Sequence, residues 1–215
     1  MQVAQLERLL QRMKGTPRRR RTLLIGIDGG GGSGKSVLAA RLSEIEAGVT
    51  VIYGDDFYLP SARRAMADPA AVGSSFDWLR IREQVLAPLS QDLPGRYQRY
   101  DWPTDALAEW VEVEPGAIVI LEGVYTMRQE LAPFYDVRIW VETPYSLRLH
   151  RGLERDGEGA RHQWEAEWMP AEERYARLHR PDTAAHLVLD GTGAGADLAA
   201  GQVLVRRAPD GWLDL

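Results

Sequence analysis

The segment that most restricts this chain is the passage from Thr22 to Ser36. An apolar run, Thr22 to Ile27, ends in Asp28 and opens into Gly29-Gly30-Gly31-Gly32-Ser33-Gly34-Lys35-Ser36. Six residues of mostly aliphatic character read as a strand buried on both faces, the signature of a parallel sheet. The glycines that follow let consecutive backbone N–H groups turn inward around an anion. The spacing Gly29-x4-Gly34-Lys35-Ser36 is that of a phosphate-binding loop, and the helical pattern Ser36 to Glu46 adds its positive N-terminal dipole. The donor site is therefore expected over Gly29, Gly30, Gly31, Gly32, Ser33, Gly34, Lys35, Ser36 and Val37. ATP is the expected ligand, with the Lys35 ammonium on its β- and γ-phosphates and the Ser36 hydroxyl on Mg²⁺. Lys35 is one of only two lysines among 26 basic residues. A compact ammonium suits the loop where a planar guanidinium does not.

Further apolar runs at Val49 to Tyr53, Ala117 to Leu121, Val137 to Val141 and Leu187 to Leu189 alternate with helical patterns. That alternation predicts an α/β chain of the P-loop NTPase kind, a mostly parallel five-stranded sheet with helices on both faces. Gln202 to Arg206 is read as an edge strand. The whole chain, 1–215, is expected to form one unit. Within it, 1–21 supplies an amphipathic helix over 2–14 and a solvated basic linker at Arg18 to Arg21. Segment 60–115, helical near 77–90 and otherwise turn-rich, is a candidate acceptor-binding insertion. Segment 145–180 is helical and rich in arginine.

Net charge is −5 and cysteine is absent. The first argues against a general nucleic-acid binder, and the second removes disulfides and thiolate chemistry. No apolar run approaches a membrane span and no signal-peptide pattern opens the chain, so a cytoplasmic location is expected. The four histidines lack metal-ligand spacing, and Trp164, Trp168 and Tyr175 are read as core at helical spacing.

Ligands in such folds bind at the carboxyl ends of the strands, which here carry Asp28, Asp55, Asp56, Glu122 and Asp190. Phosphoryl transfer needs a group to orient and deprotonate a hydroxyl, and oxygen ligands for a metal. Asp55 is the candidate base. Glu122, at the end of an aliphatic run, joins Ser36 as the candidate metal site. The chain contains no asparagine, so the Asn-Lys-x-Asp segment by which GTPases read guanine is missing. The Leu-Ser-Gly-Gly signature of transporter ATPases is missing too. A nucleotide-driven switch or chaperone remains the reading from another class, but it would have no use for an acceptor insertion.

These motifs, in this order, resemble the uridine kinase and phosphoribulokinase group of P-loop kinases over about residues 22–191. Asp55-Asp56-Phe57-Tyr58 is similar to the group's Asp-x-Phe-Tyr element, with Asp55 in the place of the base. Phe76-Asp77, Tyr100-Asp101-Trp102 and Glu122-Gly123 resemble its later elements. Arg148, Arg151, Arg155-Asp156 and Arg161 resemble its lid. The resemblance implies that Asp55, Lys35 and Arg155 act in catalysis and that Tyr58, Asp77, Tyr100, Arg151 and Arg161 contact substrate. Two departures stand out: Asp105 where uridine kinases commonly carry a histidine, and Gly152 where a lid arginine is expected. The implied acceptor is a nucleoside, with a sugar, sugar acid or pantothenate-like polyol as the alternative. The expected partner is that small molecule. Neither a nucleic acid nor a membrane is expected, and a homo-oligomer stays open.

Overall fold

The computed structural model describes residues 1–66, 68 and 71–213. Residues 67, 69 and 70 of the 60–115 insertion, and the last two of the chain, lie outside the described residues. Among the described residues nine strands form: β1 (Gln2–Gln5), β2 (Leu23–Asp28), β3 (Val49–Tyr53), β4 (Gly95–Asp101), β5 (Ala106–Val113), β6 (Ile118–Glu122), β7 (Val137–Glu142), β8 (Leu187–Asp190) and β9 (Gln202–Arg207). Seven make one sheet in the order β1-β9-β8-β7-β2-β6-β3. The five expected strands pair in parallel, with Ile27 beside Glu122 and Tyr53 beside the same glutamate. β9 and β1 extend the sheet antiparallel at one side.

Alternate residues of each strand face opposite layers, which is why continuous apolar runs were needed. Along β2, Leu23, Ile25 and Ile27 join a core with Leu6, Leu9, Leu10 and Met13 of α1 (Leu6–Lys14) and Leu38 and Leu42 of α2 (Lys35–Ile45). Leu24 joins the opposite core, with Ile52, Leu121, Val85, Leu89 and Tyr97. Helices therefore cover both faces.

Four readings of the sequence change. Gln202 to Arg206, expected at the sheet edge, lies between β8 and β1, because the N-terminal residues pair with its outer side and take the edge. The helix expected over 2–14 begins only at Leu6, because residues 2–5 pair with β9 and complete the sheet. The basic stretch is not simply solvated. Arg20 donates to the Phe134 carbonyl at 2.6 Å and pairs with Asp136 at 3.0 Å, and Arg18 donates to the Lys14 and Thr16 carbonyls. The insertion holds helical residues 78–89 as expected, but also a hairpin of β4 and β5. An irregularity between Gln98 and Tyr100 breaks the period of two, so Tyr97 and Tyr100 are both buried three residues apart. That spacing hides a strand from a reading based on alternation.

Candidate active site

β2, β3 and β6 end side by side, and the turns beyond them make the floor of one cavity of ≈ 990 Å³. Gly32 and Gly34 adopt φ of 74° and 100°, the left-handed region that glycine enters without strain, and turn the chain into α2. The loop folds back on Lys35, whose Nζ donates to the Gly30 carbonyl at 2.9 Å. The Ser36 hydroxyl donates to Glu122 Oε1 at 2.8 Å. Burial raises the Glu122 carboxyl above its ordinary value, opposed by Lys35 and by the Ser36 hydrogen bond. Asp28, at the end of β2, is fully enclosed and accepts from the N–H groups of Gly29 and Met127 and from the Tyr175 hydroxyl. It serves the architecture of the loop.

Asp55 and Asp56 sit in one tight turn, Gly54–Phe57, and diverge. Asp56 accepts the Tyr97 hydroxyl at 2.9 Å and is held by the hairpin. Asp55 lines the cavity and has no hydrogen bond or ion pair among the described residues. Its side chain reaches cavity solvent, yet the surrounding protein desolvates it enough to raise its pKa, with Lys35 and then Arg155 pulling back. A free carboxylate of raised pKa beside an ammonium is what a base for hydroxyl activation requires. Asp190 is different: its oxygens are taken by Thr192 and Arg206 in a turn.

Aromatic rings form another wall of the cavity. Tyr58 packs on Phe76 at 4.2 Å and on Trp102 at 4.6 Å between centroids. Tyr125, missed in the sequence, holds φ at 69° and sets its ring between Phe76 and Tyr175. Two residues expected to touch substrate have partners within the protein. Asp77 caps helix 78–89 by accepting the Arg80 N–H at 3.2 Å, pairs with the Arg80 side chain, and is absent from the cavity lining. Tyr100 is buried, donates to Asp105 Oδ1 at 2.6 Å and lies behind the lining, where Trp102 takes its place. Asp105, at φ 50°, also accepts from the Ser61 N–H and hydroxyl. The carboxylate in the histidine's place is thus a hairpin fastener.

The arginines sort in the same way. Arg151 lines the cavity but donates to the carbonyls of Gly32, Gly191 and Thr192, tying the phosphate loop to the segment after β8. Arg155 borders the cavity, pairs with Asp156 at 2.7 Å and lies over the Trp164 ring. Arg161 is exposed, pairs with Glu158 and Glu165 and does not line the cavity; its i,i+3 and i,i+4 partners explain its position. A side chain at Gly152 would run into Trp164, so the missing lid arginine makes room for an indole. That indole is fixed by its N–H to Asp156 at 3.0 Å. Sequence reading missed Glu172 altogether. Its carboxylate accepts the Gly31 N–H at 3.0 Å and pairs with Arg148 at 2.7 Å. In a segment rich in charge, no local pattern set this glutamate apart from its neighbours.

Among known proteins, the family model described as "Phosphoribulokinase / Uridine kinase family" matches residues 24–168. A uridine kinase of Halobacterium salinarum is 32% identical over 139 residues, 61% of this chain and 61% of that one. The match therefore spans less than two thirds of that relative's length. A uridine kinase of Deinococcus deserti is 32% identical over 148 residues, 63% of this chain and 69% of that one. Among solved structures, a "possible uridine kinase" from Bacillus stearothermophilus superposes with TM-score 0.64 at 23% identity, covering 85% of this chain and 97% of that one. A D-glycerate 3-kinase from Cryptococcus neoformans gives 0.58 at 14%, covering 86% and 93%. At these identities the two structures share the fold.

Proposed function

The chain belongs to the phosphoribulokinase and uridine kinase family of ATP-dependent kinases, and on that premise we propose that it transfers the γ-phosphoryl group of ATP to a hydroxyl of a nucleoside. One observation carries the reading: a single cavity gathers Lys35, the Ser36–Glu122 pair and the unpartnered carboxylate of Asp55, with aromatic rings opposite.

In this reading the loop from Gly29 to Val37 holds the triphosphate through backbone N–H groups, the α2 dipole and Lys35. Ser36 and Glu122, whose oxygens lie 2.8 Å apart, would hold Mg²⁺ beside the phosphates. No cluster of three or more acidic, histidine or cysteine side chains that could cage a metal occurs among the described residues, which fits an ion shared with the nucleotide. Bound there, Mg²⁺ neutralises phosphate charge. Asp55 takes the proton of the acceptor hydroxyl as the new O–P bond forms and the bond to the β-phosphate oxygen breaks, releasing ADP. Arg155 lies within electrostatic reach of Asp55, second in effect to Lys35, and is the arginine of the 145–180 segment placed to follow the moving charge. Tyr58, Phe76 and Trp102 offer flat faces for a base or sugar ring. Segment 60–115 then serves the acceptor and 145–180 closes on the donor. Such an enzyme works where ATP is held, in the cytoplasm.

A second reading rests on Arg174. It lines the same cavity and has no hydrogen bond or ion pair among the described residues. A free guanidinium favours an acceptor with a carboxylate, such as a sugar acid. Incubating the purified protein with Mg-ATP and a panel of uridine, cytidine, adenosine, D-glycerate, gluconate and pantothenate, with ADP release measured, tests both. Turnover confined to nucleosides supports the first reading. Turnover confined to the acids replaces it with the second. Acceptor-independent hydrolysis alone overturns the kinase reading.

A further inference from the structure

The glycines of the phosphate loop are required for two different reasons. Gly32 and Gly34 need their positive φ. Gly30 and Gly31 do not adopt positive φ. A Cβ on Gly30 would collide with the Arg148 guanidinium, and one on Gly31 would lie 2.8 Å from the Trp164 ring and 3.0 Å from Glu172 Oε1. Side chains of the 145–180 segment thus press onto the outer face of the loop, and the two glycines admit them.

The peptide joining Gly30 to Gly31 is gripped at both ends. Its carbonyl accepts from Lys35 Nζ at 2.9 Å, and its N–H donates to Glu172 Oε1 at 3.0 Å. A peptide between two glycines rotates with little steric resistance, so a fixed orientation has to be imposed. The grip uses a carboxylate beside a site for a triphosphate, where an uncompensated negative charge would repel the ligand. Arg148 meets that charge at 2.7 Å through the other oxygen. Both residues are buried, each 9% exposed. Removing one member of such a pair leaves the other as an uncompensated charge at low dielectric.

We propose that Glu172 and Arg148 form a charge-neutral clamp on the phosphate loop. Glu172 fixes the Gly30–Gly31 peptide from the side opposite Lys35, and Arg148 cancels the charge Glu172 would otherwise set against the triphosphate. Both are positioning residues, and they make the order of the donor site depend on the seating of the helix Met169–His179. The inference rests on reading the loop as the ATP site, and binding can be measured without knowing the acceptor.

The test is a charge-compensation experiment on the full chain, with a non-hydrolysable ATP analogue and Mg²⁺ titrated by calorimetry. Arg148→Gln leaves Glu172 unpaired and is expected to weaken binding about tenfold or more. Arg148→Gln combined with Glu172→Gln removes the stray charge and is expected to recover most of that loss. In Glu172→Gln alone, the Gly31 amide hydrogen should exchange faster in the nucleotide-free protein. Melting temperatures check that each variant is folded. If Arg148→Gln does not unfold the chain but binds as tightly as the parent, or the double variant binds no better than it, the clamp is refuted. If Arg148→Gln fails to fold, unchanged Gly31 exchange in Glu172→Gln refutes it. A parent protein that binds no ATP analogue overturns the reading of the site itself.

Discussion

Replacing Tyr175 by phenylalanine should destabilise this protein in a pH-dependent way. Asp28 is fully enclosed, and burial raises its carboxyl from the ordinary 3.8 to about 6. The Tyr175 hydroxyl, at 2.6 Å, heads the influences that hold it down, followed by the Met127 N–H, Lys35 and the Gly29 N–H. A rise from 3.8 to about 6 withholds about 3 kcal/mol of stability once the group is ionised, at about 1.4 kcal/mol per pH unit. The folded state holds this proton more tightly than the unfolded one. The cost is therefore absent below pH 3.8, grows as pH rises and is complete above about 6. Phenylalanine removes the donor, so the folded pKa climbs further and the cost above it grows. At pH 8 the variant loses a hydrogen bond to a charged acceptor, about 2–3 kcal/mol; at pH 4.5 it loses a neutral one, about 1 kcal/mol. For a chain of this size that is a drop of roughly 4–12 °C in Tm at pH 8 and roughly 2–4 °C at pH 4.5. Urea titrations of both proteins at the two pH values measure it. An equal loss at both, or a larger loss in acid, would refute the reasoning.

Other changes test separate parts of the structure. Asp55→Asn should lower turnover by about 10²–10⁴ while ATP-analogue affinity stays near that of the parent. In the parent, turnover should rise with pH through a value above the ordinary aspartate range, because burial raises Asp55; a pH–rate profile reads this. Arg161→Ala should leave the urea midpoint and turnover close to those of the parent, since its ion pairs are exposed; a tenfold loss of turnover would return it to the active site. Gly152→Ala should cost about 1–3 kcal/mol by crowding Trp164, read as a fall in the urea midpoint. Glu122→Gln should raise the Mg²⁺ concentration needed for half-maximal rate.

The family placement and the parallel sheet were legible because both rest on local chemistry. A phosphate loop is a contiguous string whose function lies in its own backbone, and strands buried on both faces must be apolar throughout. The strand ends could be named for the same reason, so Asp55 and Glu122 reached the cavity where expected. The hairpin was hidden by the irregularity at Gln98 to Tyr100, which puts both tyrosines on the buried side out of phase. A side chain's partner is a property of neighbours distant in sequence. Asp77 and Asp105 look alike as strings, and so do Arg151, Arg155 and Arg161. Only packing showed that Asp77 caps a helix, Asp105 fastens a hairpin, Arg151 binds carbonyls and Arg161 stays in solvent.

The phosphate loop divides the same way. Its sequence alone implied a backbone able to turn inward around an anion, with a lysine and a hydroxyl at hand. Tertiary structure decided what finishes it. Gly30 and Gly31 are glycines because Arg148, Trp164 and Glu172 arrive from more than a hundred residues further along the chain. No local pattern encodes that arrival, because a close approach between distant segments exists only once the sheet has brought them together.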